Sequence, residues 1–397
     1  MKKIIKLMAT AVLFMALFGI VVVASATEKG RIVEFSQLLD SLAVKQIFWL
    51  VFAVAAGMFV LRVDYNFYKR PEFMVFLYVV TVLALILVYI PGIGVSVNGS
   101  HRWFRIGPLT VQPSEFAKVS MLVLVCAWVN RAGPLVRRFK EGILIPGILL
   151  AVPALLIVFQ KDVGATAVLV IVCGAVLFVA GANLKHLAFM MCGTLAVLVV
   201  LLLTSPALAE RVIGFLNAKY AVETTLFAAD KEESMRRATI KRDHVEQAME
   251  ALRNGGTTGV GYMNSEKKRF YLREAHTDFI AAIVGEEFGF VGGILLLLGY
   301  GVILVCGMLI SLRAPDCLGR NLAFGLTFLL VFQSAINLSV VTDMLPTKGI
   351  ALPFISYGGT SLLVSLIAVG VILNVGHQAV LAKLSDDANV FRDAVKI

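Results

Sequence analysis

Charged residues are scarce in this chain, and their scarcity excludes a soluble protein. Of its 397 residues only 16% are charged and 59% are hydrophobic, and the mean hydropathy is +0.88. A water-soluble domain could not cover so much apolar surface, so the composition indicates an integral membrane protein. The hydrophobic runs reach about 18 residues or more without alternating, which excludes the short alternating strands of a membrane β-barrel.

Cysteine pairs and nucleotide-binding signatures are also missing. The five cysteines form no C-x-x-C pair, so neither a disulfide framework nor a zinc site is indicated. The glycine-rich stretch 255–261 does not end in Gly-Lys-Ser or Gly-Lys-Thr, so it predicts a flexible turn and no nucleotide site. The formal net charge of +10 is scattered among many short loops, which favours basic loops at a membrane over nucleic-acid binding.

About ten apolar segments are long enough to cross a bilayer, which predicts an all-α polytopic membrane protein with a single domain, 1–397. They lie near 7–23, 46–63, 73–91, 114–130, 142–160, 164–182, 186–204, 277–312, 321–342 and 359–376. The first is either a retained span or a signal peptide cleaved after Ala24-Ser25-Ala26, and its length favours the retained span. The run 277–312 is too long for one straight crossing, so we expect its first part to lie at the interface or to tilt.

Basic residues in the short loops predict the orientation of these spans. Arginine and lysine follow the second, fourth, sixth and eighth spans, and Lys2 and Lys3 precede the first. By the positive-inside rule both termini are then cytoplasmic. The segments 92–113, 205–276 and 343–358 therefore face outward, and the large loop 205–276 lies between the seventh and eighth spans.

The first outward segment places cations beside interfacial aromatic residues. Arg102 adjoins Trp103, and the helix that follows carries Glu115 and Lys118 three residues apart. Guanidinium and ammonium groups suit the phosphate of a lipid headgroup, so these four residues are candidate substrate-binding residues. The alternative is an ordinary aromatic belt with extended arginines, in which Glu115 and Lys118 simply pair with each other.

Asp278 lies where a polar loop ends and an apolar run begins, next to His276. A carboxylate at the edge of hydrocarbon is costly to keep charged unless it is used or paired. We therefore predict that Asp278 is the catalytic base and that His276 contacts the substrate. The alternative is that Thr277 or Asp278 caps the next helix. Glu286 and Glu287 lie roughly 12 Å further along that helix, too far to form a carboxylate pair with Asp278.

The predicted helix after this aspartate carries two buried carboxylates and a glycine repeat. Glu286 and Glu287 need partners in the apolar run, and Lys118 or Arg102 are the candidates. Three glycines recur every four residues and predict close packing on a neighbour. They are Gly285, Gly289 and Gly293.

The third outward segment, 343–358, cannot form one regular helix because prolines and glycines interrupt it. Non-helical backbone at membrane depth is tolerated only when it is buried in protein or lines a wet cavity. We therefore predict a cavity here, with Lys348, Ser356 and Tyr357 as candidate substrate-binding residues. A plain connecting loop is the alternative.

Three stretches of the chain resemble the SEDS family (shape, elongation, division and sporulation), which comprises the FtsW/RodA-type peptidoglycan polymerases. They are NGSHRWFRIGPLTVQPSEFAKV, GGTTGVGYMNSEKKRFYLREAHTDFIAAIVGEEFGFVG and LPTKGIALPFISYGGTS. The resemblance runs from about the second span to the tenth and implies ten transmembrane helices with an outward-facing glycosyltransferase site. The family's essential aspartate falls on Asp278. The LPTKG stretch is closer to the division-type FtsW branch than to the elongation branch.

The resemblance implies that the chain polymerises lipid II, a disaccharide-pentapeptide on undecaprenyl diphosphate, by inverting glycosyl transfer. Asp278 would deprotonate the GlcNAc 4-hydroxyl of an incoming lipid II, and that oxygen would attack the anomeric carbon of the growing strand. The expelled undecaprenyl diphosphate needs positive charge, for which Arg102, Lys118 and Lys348 are candidates. A divalent cation, Mg or Mn, is a candidate cofactor, and no nucleotide is expected.

The resemblance also implies partners and a location. These are a class B penicillin-binding protein, which is a single-span transpeptidase, and other divisome proteins at the bacterial cytoplasmic membrane. The chain departs from the family's Q-P-D-L-G pattern, because Lys161 replaces the proline. The alternative function is a lipid II flippase, since Glu286 and Lys118 could relay protons and broken helices suit transporters.

Overall fold

Helices dominate the computed structural model, which describes residues 1–27, 42–97, 100–106, 109–204, 244–267, 276–346 and 349–394. The ten long helices of this part are α1 Lys2–Thr27, α2 Leu42–Arg62, α3 Pro71–Leu87, α4 Pro113–Ala132, α5 Ile145–Phe159, α6 Val163–Val179, α7 Leu184–Thr204, α8 Ile280–Leu312, α9 Cys317–Val341 and α10 Gly359–Ala394. Seven helices of the described part are long and apolar enough to cross a membrane, and α3 and α6 are shorter apolar helices. Each predicted span overlaps one helix, so the prediction of an all-α polytopic membrane protein is confirmed.

Proline and aspartate set where several helices begin. Proline opens α3 and α4, where its missing N–H costs no intrahelical hydrogen bond. Asp162 caps α6 by accepting from the N–H of Ala165 (3.2 Å), and Asp316 caps α9 by accepting from the N–H of Gly319 (2.8 Å). These signals lie between the apolar runs, which is why these predicted spans begin close to the observed helices; α10 continues to Ala394, well beyond the predicted end at 376.

The centre of the bundle is α4, which is buried over much of its circumference and contacts α3, α6 and α9. Around it, α10 packs along α2, and α1 packs along α8. Glycines permit the closest of these approaches. A Cβ on Gly370 of α10 would lie 2.5 Å from the carbonyl oxygen of Gly57 in α2, and a Cβ on Gly19 of α1 would lie 2.3 Å from that of Phe354.

The run 277–312 forms a helix that is broken near its start. Gly289 has φ 63° and ψ −157° inside α8, a conformation that costs little only for glycine. The part before Gly289 is buried in protein, whereas the part after it exposes leucines such as Leu297 and Leu298. The excess length of this run is therefore taken up by a break in the backbone.

The first outward segment contains a small antiparallel sheet that the sequence analysis did not predict. Its strands are β1 Gly94–Val97, β2 Ser100–Ile106 and β3 Leu109–Val111, in the order β1-β2-β3. Successive side chains of a strand point to opposite faces. Arg102 and Trp103 therefore lie on opposite faces of β2, so their side chains do not face the same ligand.

The large outward loop is partly helical, as residues 244–255 show; we call these residues the loop helix. Its buried side chains are Val245, Ala248 and Ala251. The ring of His244 packs near Phe279, with centroids 6.4 Å apart. The loop helix therefore sits against the start of α8.

Loops predicted to share a side of the membrane meet at one end of the bundle. Lys69, after α2, pairs with Asp316, before α9, at 2.7 Å, and Tyr65 Oη donates to the same carboxylate at 2.9 Å. At the other end, the N–H of Gln112 donates to Thr360 Oγ1 at 3.2 Å. The predicted alternation of the loops between two ends is therefore present in the fold.

Candidate active site

Asp278 lies in a turn, residues 276–279, directly before α8. The N-cap residue of α8 is Phe279, and this cap makes no side-chain hydrogen bond. The alternative that Thr277 or Asp278 caps the helix is therefore wrong. Asp278 is half-buried, so it is neither enclosed in the protein interior nor fully open to solvent.

Three consecutive carbonyl groups around this aspartate accept hydrogen bonds from the third outward segment and from α9. The N–H of Tyr357, Oγ of Ser356 and Nδ2 of Asn337 donate, in that order, to the carbonyls of residues 276, 277 and 278. The distances are 2.9, 2.6 and 3.0 Å. We call these three bonds the carbonyl clamp. They hold the turn that carries Asp278 from a part of the chain that is remote in sequence.

The predicted substrate-binding residues Ser356, Tyr357 and His276 all lie at this clamp. Ser356 is buried, and its Oγ also accepts from the N–H of Leu352 at 2.8 Å, so the hydroxyl joins two backbone segments. The rings of His276 and Tyr357 meet edge to face with centroids 5.9 Å apart. Burial raises the pKa of the Tyr357 phenol, so this group remains a protonated donor at neutral pH. Their contacts with substrate stay predictions.

The start of the third outward segment lies against the carboxylate of Asp278. A Cβ built on Gly349 would stand 3.0 Å from Oδ2 and 3.8 Å from Oδ1. The absence of a side chain at Gly349 therefore lets the backbone approach the carboxylate closely. Lys348, predicted to bind the substrate, precedes Gly349 in the chain and lies outside the described residues.

Arg102 binds the turn between α5 and α6. Its Nε donates to the carbonyl of Gln160 at 3.2 Å, and its Nη2 donates to that of Lys161 at 2.5 Å. Both partners are neutral carbonyl groups, so neither of them balances the charge of the guanidinium group. Lys161 has φ 61°, which proline cannot adopt, so the departure from the family's Q-P-D-L-G pattern changes the backbone of this turn.

Glu115 and Lys118 pair with each other, as one of the two interpretations predicted. Lys118 Nζ lies 2.6 Å from Glu115 Oε1, and the two side chains are 2% and 14% exposed, lysine first. The carboxylate therefore neutralises the buried ammonium group. Trp103 is half-buried on β2 and contributes its ring to the edge of this segment.

Gln112 joins the first outward segment to Thr360, at the start of α10 directly after the third outward segment. Besides accepting from the N–H of Gln112, Thr360 Oγ1 donates to the carbonyl of Thr110 at 3.3 Å. Gln112 Nε2 also donates to Asp162 Oδ2, at the start of α6, at 3.3 Å. The first outward segment, the start of α10 and the α5–α6 turn therefore form one framework.

Serine hydroxyls partner the two buried carboxylates of α8. Ser265 Oγ donates to Glu286 Oε2, and Ser25 Oγ donates to Glu287 Oε1 at 2.5 Å. The expectation that cations of the first outward segment would partner these glutamates is wrong, because both cations are engaged elsewhere. The glutamates instead tie α1 and the large loop to the first part of α8.

The glycine-rich stretch 255–261 compensates for the break in α8. A break leaves backbone N–H and carbonyl groups without helical partners, which is costly inside protein. Two N–H groups of the stretch donate to the carbonyls of residues 286 and 287, at 2.9 and 3.1 Å. The N–H groups of residues 290 and 291 donate to its carbonyls at 2.9 and 3.2 Å. We call residues 255–261 the glycine clasp; the prediction of a flexible turn is wrong.

Close backbone approach explains the glycines of this region. A Cβ on Gly259, whose φ is 85°, would lie 2.1 Å from the carbonyl oxygen of Glu287. A Cβ on Gly285 would overlap Leu252 of the loop helix, and one on Gly293 would meet nothing within 4 Å. The predicted close packing of the glycine repeat is therefore present at Gly285 and absent at Gly293.

Comparison with known proteins shows the family. A family model described as "Cell cycle protein", FtsW/RodA/SpoVE, matches residues 5–380. The chain belongs to the FtsW/RodA/SpoVE family. It is similar to stage V sporulation protein E of Bacillus subtilis, with 35% identity over 94% of this chain and 97% of that protein. A probable peptidoglycan glycosyltransferase FtsW of Geobacter metallireducens is 35% identical over 94% of each chain.

Solved structures show the same fold. A chain of a peptidoglycan synthase complex has a TM-score of 0.73 at 24% identity, covering 94% of this chain and 97% of its own. The rod shape determining protein RodA of Thermus thermophilus has a TM-score of 0.65 at 24% identity, covering 94% and 96%. The resemblance to the SEDS proteins is therefore confirmed.

The described part of this FtsW/RodA-family chain offers no preformed cluster of metal ligands. Among the residues that the structure describes, no three His, Cys, Asp or Glu side chains lie close enough together to hold a metal ion. Mg²⁺ is commonly bound by one or two carboxylates together with substrate phosphates. A divalent cation would then rely on the diphosphate of the substrate in addition to Asp278, and the Mg or Mn cofactor stays a prediction.

Asn337, Gln112 and Thr360 did not stand out in the sequence of this family member as candidate site residues. Each joins parts of the chain that are far apart in sequence. A polar side chain inside an apolar run was the available signal for Asn337. Gln112 and Thr360 lie at helix starts, where a polar residue is ordinary, and carried no such signal.

Proposed function

We propose that this chain is a peptidoglycan glycosyltransferase that polymerises lipid II on the outer side of the bacterial cytoplasmic membrane during cell division. The observation that carries the proposal is Asp278, half-buried at the outer end of the bundle, with its turn held by the carbonyl clamp. The family membership supports the reaction class, and relatives named FtsW support the division role.

The proposed reaction needs one base. Asp278 takes the proton of the GlcNAc 4-hydroxyl of an incoming lipid II as that oxygen bonds to the anomeric carbon of the growing strand. The bond from that carbon to the diphosphate breaks, and its electron pair leaves with undecaprenyl diphosphate. Attack opposite the leaving group inverts the anomeric carbon. A second carboxylate is unnecessary, which agrees with the remote and serine-bonded Glu286 and Glu287.

Of the two predicted cations that the structure describes, Arg102 is the better counter-charge for the leaving diphosphate. Its hydrogen bonds go to neutral carbonyls, so its full charge is available. The charge of Lys118 is balanced by Glu115 at 2.6 Å. Guanidinium also bonds phosphate oxygens in a bidentate geometry. We expect Arg102→Lys to weaken turnover and Lys118→Met to act mainly on stability.

The reaction is tested with the purified protein and lipid II in detergent or liposomes. Asp278→Asn should lower strand formation by about 10²–10⁴-fold, the usual contribution of general base catalysis, without loss of folding. Asp343→Asn is the matched control, because Asp343 is an exposed carboxylate of the third outward segment. Normal turnover by Asp278→Asn would refute the assignment. Movement of lipid II between leaflets without strand formation would favour the flippase.

We propose that both termini are cytoplasmic, in keeping with the basic loops at one end of the bundle. The exposed Cys317 lies at that end, as the first residue of α9. A membrane-impermeant thiol reagent applied to intact spheroplasts should leave Cys317 unlabelled and should label it after permeabilisation. The variant Asp343→Cys should react from outside in both cases. The reverse labelling pattern would indicate the opposite topology, with both termini outside.

We also propose a class B penicillin-binding protein as partner, and a role for Mg or Mn. A peptidoglycan synthase complex among the structural neighbours supports a partner of this kind. Co-purification with the transpeptidase should raise strand formation. Chelation should lower it, and added Mg or Mn should restore it. Full activity in excess chelator would show that the reaction does not require a divalent cation.

A further inference from the structure

Asn337, on α9, joins Asp278 to the start of the third outward segment. Its Nδ2 donates to the carbonyl of Asp278 at 3.0 Å and to that of Ile350 at 2.7 Å. The side chain is buried, so both bonds are made away from solvent. One amide on a packed membrane helix therefore sets the separation between two segments that are remote in sequence.

That separation decides what lies beside the carboxylate. Ile350 directly follows Gly349, on which a Cβ would stand 3.0 Å from Oδ2 of Asp278. Ser356 and Tyr357 hold the far end of the same segment, whereas Asn337 holds its start. Loss of Asn337 would leave the carbonyl clamp with its two other bonds but release Gly349 from its place.

We propose that Asn337 is a positioning residue for Asp278. It keeps the carboxylate beside Gly349, in the orientation that removal of the sugar proton requires. This inference rests on the proposed function. We expect its effect to fall on the chemical step, because Asn337 is buried and its two bonds go to the backbone of Asp278 and Ile350, so it holds the base without contacting the lipid II headgroup itself.

Asn374 provides a control of the same residue type in the same environment. It lies on α10 and is buried, and its Nδ2 donates to the carbonyls of Leu61 and Val63 at 2.5 and 2.9 Å. These carbonyls lie at the end of the bundle opposite Asp278. Asn374→Ala therefore removes the same kind and number of buried bonds without touching the turn of the proposed base.

The test compares kcat, KM for lipid II and thermal midpoint for the full-length wild type, Asn337→Ala and Asn374→Ala. Asn337→Ala should lower kcat by about 30- to 100-fold, because a misplacement of about 1 Å in a catalytic group lowers the rate about 10²-fold. KM should stay within about twofold of the wild-type value. Asn374→Ala should keep kcat within about twofold despite a similar loss of thermal midpoint. Equal losses of kcat in both variants, or a normal kcat in Asn337→Ala, would overturn the proposal.

Gly349→Ala keeps the proposal testable should Asn337→Ala fail to fold. Position 349 is exposed, and the added methyl group meets the carboxylate at 3.0 Å without disturbing the bundle. We expect a lower kcat at an unchanged thermal midpoint, and an unaltered kcat would contradict the inference. Should the wild type make no strands, the proposed function itself fails. Should the wild type be active, Asp278→Asn inactive and Asn337→Ala normal, only the positioning role fails.

Discussion

The glycine clasp is expected to stabilise the break in α8, and Gly259→Ala tests this directly. Gly259 has φ 85°, and its added Cβ would lie 2.1 Å from the carbonyl oxygen of Glu287. The left-handed conformation costs an alanine about 1–2 kcal/mol. The overlap also forces the clasp away from α8 and breaks the bonds that Val260 and Gly261 donate, at about 0.5–1.5 kcal/mol each. We therefore expect a loss of about 2–5 kcal/mol in free energy of unfolding.

Gly256→Ala is the matched control for this variant. Gly256 lies in the same clasp with φ 51°, but a Cβ there meets nothing within 4 Å. Only the cost of the left-handed backbone applies, about 1–2 kcal/mol.

The assay combines thermal unfolding in detergent with amide hydrogen exchange over residues 286–291. Gly259→Ala should show the larger loss of thermal midpoint and faster exchange of the amides of residues 290 and 291. Gly256→Ala should leave that exchange unchanged. Equal losses in both variants, with equal protection of residues 286–291, would show that close packing of the clasp does not hold the break together.

Three further changes have outcomes that the structure specifies. Ser25→Ala removes the hydroxyl that donates to a buried carboxylate of α8, so thermal unfolding should show a loss of about 1–3 kcal/mol, whereas no change would contradict this role. Lys118→Met should cost about 3–5 kcal/mol in free energy of unfolding, because it leaves the largely buried Glu115 without its cation. Adding Glu115→Gln should recover part of this loss. A double variant as unstable as Lys118→Met alone would argue against a stabilising pair. Burial alone would raise the pKa of Asp316, but its hydrogen bonds, of which that from Lys69 has the largest effect, lower the pKa by more. The net pKa therefore lies below the ordinary value of 3.8. The stability that comes from this lowered pKa is present at neutral pH and is lost as the pH falls through the pKa of the folded state. The difference in thermal midpoint between the wild type and Asp316→Asn should therefore shrink below about pH 4.

Features that depend on local pattern were predictable from the sequence. The order of the long helices follows from the apolar runs, because the bilayer sets the length that a membrane-spanning helix needs. The candidate base also had a local signal, since Asp278 is a carboxylate at the edge of an apolar run. The sheet in the first outward segment was missed, because its strands are short and a charged and aromatic run such as that around Arg102 suggests a membrane interface before it suggests a strand.

Features that depend on partners were not predictable in this way. A buried carboxylate demands a partner, but Glu286 could have met any donor, and the fold brings Ser265 to it. The run at 255–261 has the composition of a flexible turn, but it hydrogen-bonds the backbone groups of α8 that the break at Gly289 leaves without helical partners. Lys118 had two possible roles, and its distance to Glu115 shows the pairing.

The sequence by itself indicated a polytopic helical membrane protein of the FtsW/RodA type, with Asp278 where a polar loop meets an apolar run. Hydropathy, charge and motif order are patterns of residues along the chain, so they can be read from the sequence alone. Only the tertiary structure decided how that aspartate is held. The clamp joins residues 276–278 to Ser356, Tyr357 and Asn337, and such bonds between remote segments depend on how the helices pack, which no local pattern encodes.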